Sequence, residues 1–278
     1  MRPITPEEVG LFTRYIREIS GIELDPAKSY LIETRLGGLM VEQGCSSFSE
    51  LYYKIKTDQS RALEREVIDR ITTHETLFFR DQQPFDLLRH KILPELIDAR
   101  SSVSGLPPAI SIWSAACSTG QEIFSIAIVI TELLGDLRRY RIRLFGSDIS
   151  DVSIAKASYG LYNKFEISRG LSAEKLIRYF SPVANQWKIC DEIRAMVSFR
   201  KHNLLHSLEG SGRFDVVFCR NVAMYFPVKE RQKIFENIAG SMARDGCLII
   251  GATETLVNIS SRFEAKRHLN TLYYQLKG

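Results

Sequence analysis

The spacing of apolar positions changes once along this chain, near residue 109, and the predicted architecture changes with it. Thr5-Pro6-Glu7-Glu8 reads as a capping box: Thr5 can cap, Pro6 suits the first helical position, and Glu8 can reach back. Val9, Phe12, Ile16 and Ile19 then recur at helical spacing until Gly21. Asp25-Pro26 is the expected start of a second helix, with Leu31, Leu36 and Leu39 on one side and Gly44 at its end. Two shorter helices are expected near 48–56 and 60–71. Almost no strand signal precedes Ile71, so residues 1–71 are predicted to form an all-α domain. Residues 72–108 read as a linker with short helices that contribute to a site. In it, polar Thr72-Thr73-His74-Glu75-Thr76 leads into Phe78-Phe79-Arg80-Asp81, Pro84 and Pro94 bracket the helices, and Ser101 to Pro108 is a polar connector.

From Ala109 strands alternate with helices. Ile110–Trp113, Arg143–Gly146, Phe214–Cys219 and Cys247–Ile250 read as strands, and Glu122–Leu134, Asp151–Ser158 and 228–243 as helices. Such alternation implies βαβ units, a parallel sheet and right-handed crossovers. Residues 160–200 do not fit one more unit. A helix over Ala173–Phe180 is followed by β-like Trp187–Cys190 and Ala195–Arg200, so a small inserted β-subdomain is expected, returning to the sheet at about Val197–Lys201. Arg262–Arg267 and Thr271–Leu276, joined at Leu269-Asn270, predict a terminal antiparallel hairpin. The expected fold class is α/β, a Rossmann-like sheet in residues 109–278 with that hairpin and that insertion, preceded by the all-α N-terminal domain.

Composition changes this picture little. With 45% apolar and 25% charged residues the chain is ordinary globular material. The longest apolar run, Ile123–Leu134, is broken by Ser125, Thr131 and Glu132 and is shorter than the roughly 18 to 20 residues that span a bilayer. The N-terminus lacks the apolar core of a signal peptide, so a cytoplasmic location without membrane insertion is expected. Five scattered cysteines lack metal-ligand spacing, and neither a disulfide framework nor a metal site is indicated. The net charge of +4 divides into −2 over residues 1–70 and +6 over the remainder, without dense Lys/Arg clusters. No nucleic-acid partner is therefore expected. Nothing suggests an obligate dimer, and a monomer is expected.

Candidate chemistry lies where strands end. Ser114-Ala115-Ala116-Cys117-Ser118-Thr119-Gly120-Gln121-Glu122 follows the first strand, and ligands of open α/β sheets bind outside the carboxyl ends of the strands. The loop is neither G-x-G-x-x-G nor a P-loop, so it suits a nucleoside without phosphates; the alternative is a tight turn of no function. The second strand ends at Gly146-Ser147-Asp148, where a carboxylate can accept both ribose hydroxyls, or merely cap a turn. Cys219-Arg220-Asn221-Val222-Ala223-Met224-Tyr225-Phe226-Pro227 marks the same edge of the sheet; Tyr225 either points into the site or packs with Phe226.

Taken together, Thr72 to Asp81, Trp113 to Glu122, Gly146-Ser147-Asp148-Ile149, Ala157-Ser158-Tyr159-Gly160-Leu161-Tyr162 and Phe214 to Phe226 resemble the CheR family, the chemotaxis receptor glutamate methyltransferases. The resemblance covers nearly the whole chain. It implies a Rossmann-like S-adenosylmethionine methyltransferase sheet, for which a terminal antiparallel hairpin is the usual finish. It implies S-adenosylmethionine as cofactor, S-adenosylhomocysteine as product, and glutamates on the cytoplasmic domain of methyl-accepting chemoreceptors as acceptor. It also implies cofactor contacts from His74, Thr76, Arg80, Glu122, Asp148, Asn203, Leu204, Arg220 and Asn221, and roles in methyl transfer for Arg80 and Tyr225. His74 replaces a usual asparagine, Gln121-Glu122 a common Glu-Glu pair, and Gly251-Ala252-Thr253-Glu254 a more usual Gly-His/Ser-Ser-Glu. Tyr179–Ile189 lacks the Gly-rich insertion of members whose β-subdomain grips a receptor's C-terminal pentapeptide. Arg14, Arg17, Lys28 and Arg35 are a candidate face for acidic receptor helices, or simply solvated helix surface. Rival readings are a methyltransferase for another acceptor (small molecule or RNA) and a non-catalytic cofactor-binding scaffold.

Overall fold

The computed structural model describes residues 3–25, 29–104 and 107–277. Helices α1 (Pro6–Ser20), α2 (Tyr30–Glu42), α3 (Phe48–Thr57) and α4 (Ala62–Ile71) precede every strand. The first residues dictate where α1 begins. The Thr5 hydroxyl accepts from the Glu8 N–H at 3.3 Å, and a Glu8 carboxylate oxygen accepts from the Thr5 N–H at 2.9 Å. The other Glu8 oxygen accepts from the N–H (3.0 Å) and hydroxyl (3.2 Å) of Ser49, so one cap also holds the start of α3. Burial alone would push this carboxyl up, but the hydrogen bonds from Thr5 and Ser49 hold its pKa down at about 2. Phe12, Ile16, Leu36, Leu39, Phe48, Leu51 and Val67 fill the core between the four helices. The helix start expected at Asp25-Pro26 lies partly outside the described residues, and α2 begins at Tyr30.

Next, α5 (Gln83–Leu87), a π-helical turn at Leu88–Ile92 and α6 (Leu93–Ser104) run on as one helical stretch. Helix α6 overruns the connector expected from Ser101, since no Gly or Pro stands before Gly105 to stop it. The α/β half then follows as β1 (Ala109–Ala115), α7 (Gln121–Leu134), β2 (Arg141–Asp148) and α8 (Asp151–Tyr159). The insertion comprises β3 (Leu161–Asn163), α9 (Lys164–Ser168), α10 (Ala173–Tyr179), β4 (Phe180–Val183) and β5 (Gln186–Ile189), after which α11 (Asp191–Ala195) leads back to β6 (Val197–Lys201). The chain ends with β7 (Phe214–Cys219), α12 (Val228–Ser241), β8 (Met242–Ile250), β9 (Phe263–His268) and β10 (Thr271–Leu276). Helix α12 stops two residues before its expected end, because buried Met242 already pairs with Phe214 in the sheet.

The main sheet has the order β6-β2-β1-β7-β8-β10-β9, parallel up to β8 and closed by the antiparallel pairs β8–β10 and β10–β9, as the hairpin predicts. The insertion forms its own antiparallel sheet, β3-β5-β4. Side chains of β1 alternate between two cores. Ile110 and Ile112 join Ile123, Ile126 and Ile130 of α7, whereas Trp113 and Ala115 join Ile234, Phe235 and Ile238 of α12. Helices on both faces leave the strand ends open, and the order reverses between β1 and β7, the place where α/β sheets bind ligands.

Candidate active site

The carboxyl ends of β1, β2 and β7 meet the linker segment from Thr72 to Arg80 around one cavity of about 450 Å³, a size that holds a drug-sized ligand. All ten residues singled out in the sequence line it: His74, Thr76, Arg80, Glu122, Asp148, Asn203, Leu204, Arg220, Asn221 and Tyr225. The fourth wall was not foreseen. Ser20, Ile22, Glu23, Leu24, Leu31 and Arg35 close the cavity from the helical side. The Glu23 N–H donates to the Tyr225 carbonyl at 2.9 Å, which ties that wall to the loop after β7.

The loop after β1 carries positive φ at Ala116 (59°), Ser118 (50°) and Gly120 (94°). A Cβ on Gly120 would lie 3.0 Å from that of Ala157 in α8, so glycine is required there twice over. Two non-glycine residues in this conformation must be held, and Asp148 holds one of them. Its two oxygens accept from the N–H groups of Ser118 (2.8 Å) and Ser150 (3.0 Å). Asp148 is only 8% exposed, and burial pushes its pKa above the ordinary aspartate range despite those two donors. No Lys or Arg bonds it among the described residues, and each oxygen keeps lone-pair capacity toward the cavity. A buried, partly satisfied carboxylate at the tip of β2, beside small side chains and with no phosphate cradle, fits the ribose of a phosphate-free nucleoside.

Arg220 is the charged centre of the opposite wall. Its side chain is 1% exposed and pairs with Glu122 at 3.0 Å and Asp81 at 2.8 Å, and it donates to the Arg80 carbonyl at 2.9 Å. Glu122 also accepts from the Ser114 hydroxyl at 2.7 Å. Three acceptors on its two terminal nitrogens fix this buried cation in place, and its Nε alone has no partner among the described residues. Arg80 itself is only half-buried, and its guanidinium donates to the Glu75 carbonyl at 3.2 Å. Asn221, at φ 57°, is held by Glu254, one oxygen of which accepts from the N–H groups of Asn221 and Gly251, both at 2.8 Å. Tyr225 sits in a short 3₁₀ turn, Ala223–Tyr225, with its side chain at the mouth and 40% exposed. It does not pack away with buried Phe226.

Three candidates line the cavity with their polar groups partly engaged elsewhere. Both ring nitrogens of His74 have partners, Ser153 Oγ at 2.8 Å on one and the Asp69 carbonyl (2.9 Å) and Thr72 Oγ1 (3.1 Å) on the other. His74 therefore latches α4 to α8. The Asn203 side chain spans from the Leu205 N–H (3.0 Å) to the Ile19 carbonyl (3.5 Å), and the Leu204 carbonyl accepts from Asn237 at 2.9 Å. His202, not singled out earlier, stacks edge-on against Trp113 and is kept neutral by burial and by Arg200, with its pKa down at about 4. Of the basic face expected on the helices, Arg17 pairs with Glu230 at 2.8 Å, and Arg35 donates inward to the Ile71 carbonyl and to Thr73 Oγ1. Lys28 lies outside the described residues.

Comparisons with known proteins follow this geometry. The family model described as "CheR methyltransferase, SAM binding domain" matches residues 74–270, and that described as "CheR methyltransferase, all-alpha domain" matches residues 7–72. Chemotaxis protein methyltransferase 1 of Pseudomonas aeruginosa is 38% identical over 272 residues, covering 96% of this chain and 97% of that protein. Chemotaxis protein methyltransferase Cher2 of Pseudomonas putida is 36% identical, covering 96% of each chain. Chemotaxis protein methyltransferase 1 of Vibrio cholerae is 34% identical, covering 99% and 98%. With both family models matched end to end over this cavity, the chain belongs to the CheR methyltransferase family, the S-adenosylmethionine-dependent methyltransferases of chemotaxis.

Proposed function

We propose that this protein methylates glutamate side-chain carboxylates on the cytoplasmic helices of chemoreceptors, giving glutamate methyl esters for sensory adaptation. In this reading it works in the cytoplasm as a monomer, without nucleic acid. Residues 1–71 form the all-α unit, 72–108 the linker that brings Arg80 to the site, and 109–278 the methyltransferase unit with its insertion at about 160–200. The observation that carries the reading is the convergence of Asp148, Glu122, Arg220, Arg80 and Tyr225 on one cavity at the strand-order reversal.

S-adenosylmethionine, when bound, supplies a methyl group on a cationic sulfonium. Asp148 would hold the ribose hydroxyls, Leu204 and Asn203 the wall beside them, and Glu122, Arg220, His74, Thr76 and Asn221 the rest of the cofactor. A glutamate carboxylate, with a pKa of about 4.3, is already ionised at neutral pH, so no protein base is needed. The described residues offer no His/Asp dyad that would act as one. Arg80 orients a carboxylate, and the Tyr225 hydroxyl donates a hydrogen bond to the acceptor at the mouth. What the protein contributes is an ordered site in which charged and polar groups are positioned before the reactants meet. Arg80→Ala and Tyr225→Phe should each lower turnover on a receptor fragment by about 10- to 1,000-fold. Parent-level methylation by Arg80→Ala, at unchanged cofactor affinity, would show the assignment to be wrong.

A further inference from the structure

The inserted β-subdomain meets the loops around the site at several places: Tyr162 donates to the Thr119 carbonyl, Phe78 packs on Tyr162 and Phe180, and the turn between α9 and α10 reaches the linker at Glu75 and Phe78. We infer that Arg169 and Gly170 in this turn are positioning residues for Arg80, acting through the Glu75 backbone and the Phe78 loop. The inference rests on the role given to Arg80 above.

The guanidinium of Arg80 donates to the Glu75 carbonyl at 3.2 Å, the one hydrogen bond its side chain makes among the described residues. The Glu75 carboxylate in turn is held by Arg169 at 3.0 Å. Arg169 is set in place by its own neighbour, since its guanidinium lies over the Phe165 ring, 5.1 Å from the centroid. One residue on, Gly170 has φ 91°, and a Cβ there would fall 1.8 Å from the Phe78 carbonyl oxygen and 3.1 Å from Leu77. Only glycine allows the turn this close to the linker. The linker needs such a buttress. Phe79 (φ 52°) and Asp81 (φ 55°), on either side of Arg80, are both left-handed, a conformation that persists only when its surroundings impose it. Other supports on this loop are the Ser125 hydroxyl, which accepts from the Phe79 N–H at 2.9 Å, Arg220 on the Arg80 carbonyl and the Asp81 carboxylate, and the Tyr162 and Phe180 rings packed on Phe78. The insertion therefore completes a three-sided clamp on the loop that presents Arg80, whatever else its sheet binds.

Arg169 is 35% and Glu75 65% exposed, so their pair adds little to folding stability but fixes the carbonyl on which Arg80 rests. In the full-length protein, Arg169→Ala and Glu75→Ala should move Tm by no more than about 2 °C. Each should lower kcat on a receptor fragment by roughly fivefold or more, because small misplacements of a reacting group are costly. KM for S-adenosylmethionine should change less than twofold, and Arg169→Lys should restore most of the rate. In an Arg80→Ala background the Arg169→Ala change should cost nothing further, the non-additivity of a residue that acts through another. Gly170→Ala should lose more activity than either. If Arg80→Ala impairs transfer while Arg169→Ala and Glu75→Ala keep parent kcat, or if the double variant shows the two losses multiplied, the positioning role is refuted and the role of Arg80 stands. If Arg80→Ala retains parent turnover, the reading of the site itself falls.

Discussion

At the residue scale, Asp148 does two jobs with one carboxylate. It pins the left-handed Ser118 through that residue's N–H and keeps spare acceptor capacity facing the cavity. The first job was hidden in the sequence, where Asp148 showed only as the last residue of a strand; for the second, position alone left the capping of a turn as an equal alternative, and the Ser150 N–H is indeed capped. Because burial raises its pKa, Asp148 takes up a proton on acidification before an ordinary aspartate, at 3.8, would. The ionised form is the better acceptor for two hydroxyls, so affinity for S-adenosylhomocysteine should fall as the pH drops through that raised value. Asp148→Asn should bind about tenfold or more weakly at neutral pH, the scale of a charge-assisted hydrogen bond or two, and should lose this acid dependence. Calorimetry of parent and variant across pH measures both. Flat affinity for the parent down to the ordinary aspartate range would remove Asp148 from the cofactor contacts.

At the element scale, the site is made by loops that the strands deliver to one edge. The strand ends could be read because each closes an apolar run with small or polar residues, as in Phe214–Cys219 before Arg220 and Asn221. The contacts between loops could not. Glu254 lies 33 residues from Asn221, and nothing local announces that its carboxylate caps both Asn221 and Gly251. The reason for glycine at 251 is likewise long-range. A Cβ there would meet Glu254 Oε2 at 2.7 Å, Asn221 Nδ2 at 2.8 Å and the Asn221 nitrogen at 3.0 Å. Gly251→Ala must push the Asn221–Tyr225 loop, and turnover should fall by about tenfold or more. Gly44→Ala serves as the comparison: its φ of 68° is also unfavourable, but open space surrounds the new methyl. It should lower Tm and leave turnover per folded molecule intact. Equal turnover in both variants would mean that the β7 loop tolerates displacement.

At the scale of the whole molecule, the helical unit forms part of the site. Its order was readable from capping and periodicity, down to the Thr5–Glu8 box. Its placement over the strand ends was not, because the segment from Ser20 to Leu24 and the inward turn of Arg35 acquire meaning only in the folded cavity. The insertion shows the same limit: its β-character was evident from Trp187–Cys190, whereas its grip on the Arg80 loop through Gly170 was not. Among the described residues no helix is long and apolar enough to cross a membrane. The most direct test of the whole account is transfer of label from methyl-labelled S-adenosylmethionine to a chemoreceptor cytoplasmic fragment. The account predicts stoichiometric labelling that is lost when the acceptor glutamates are changed to alanine and that base releases as methanol, the behaviour of a methyl ester. Absence of transfer by the intact folded chain, or label that resists base, would contradict it.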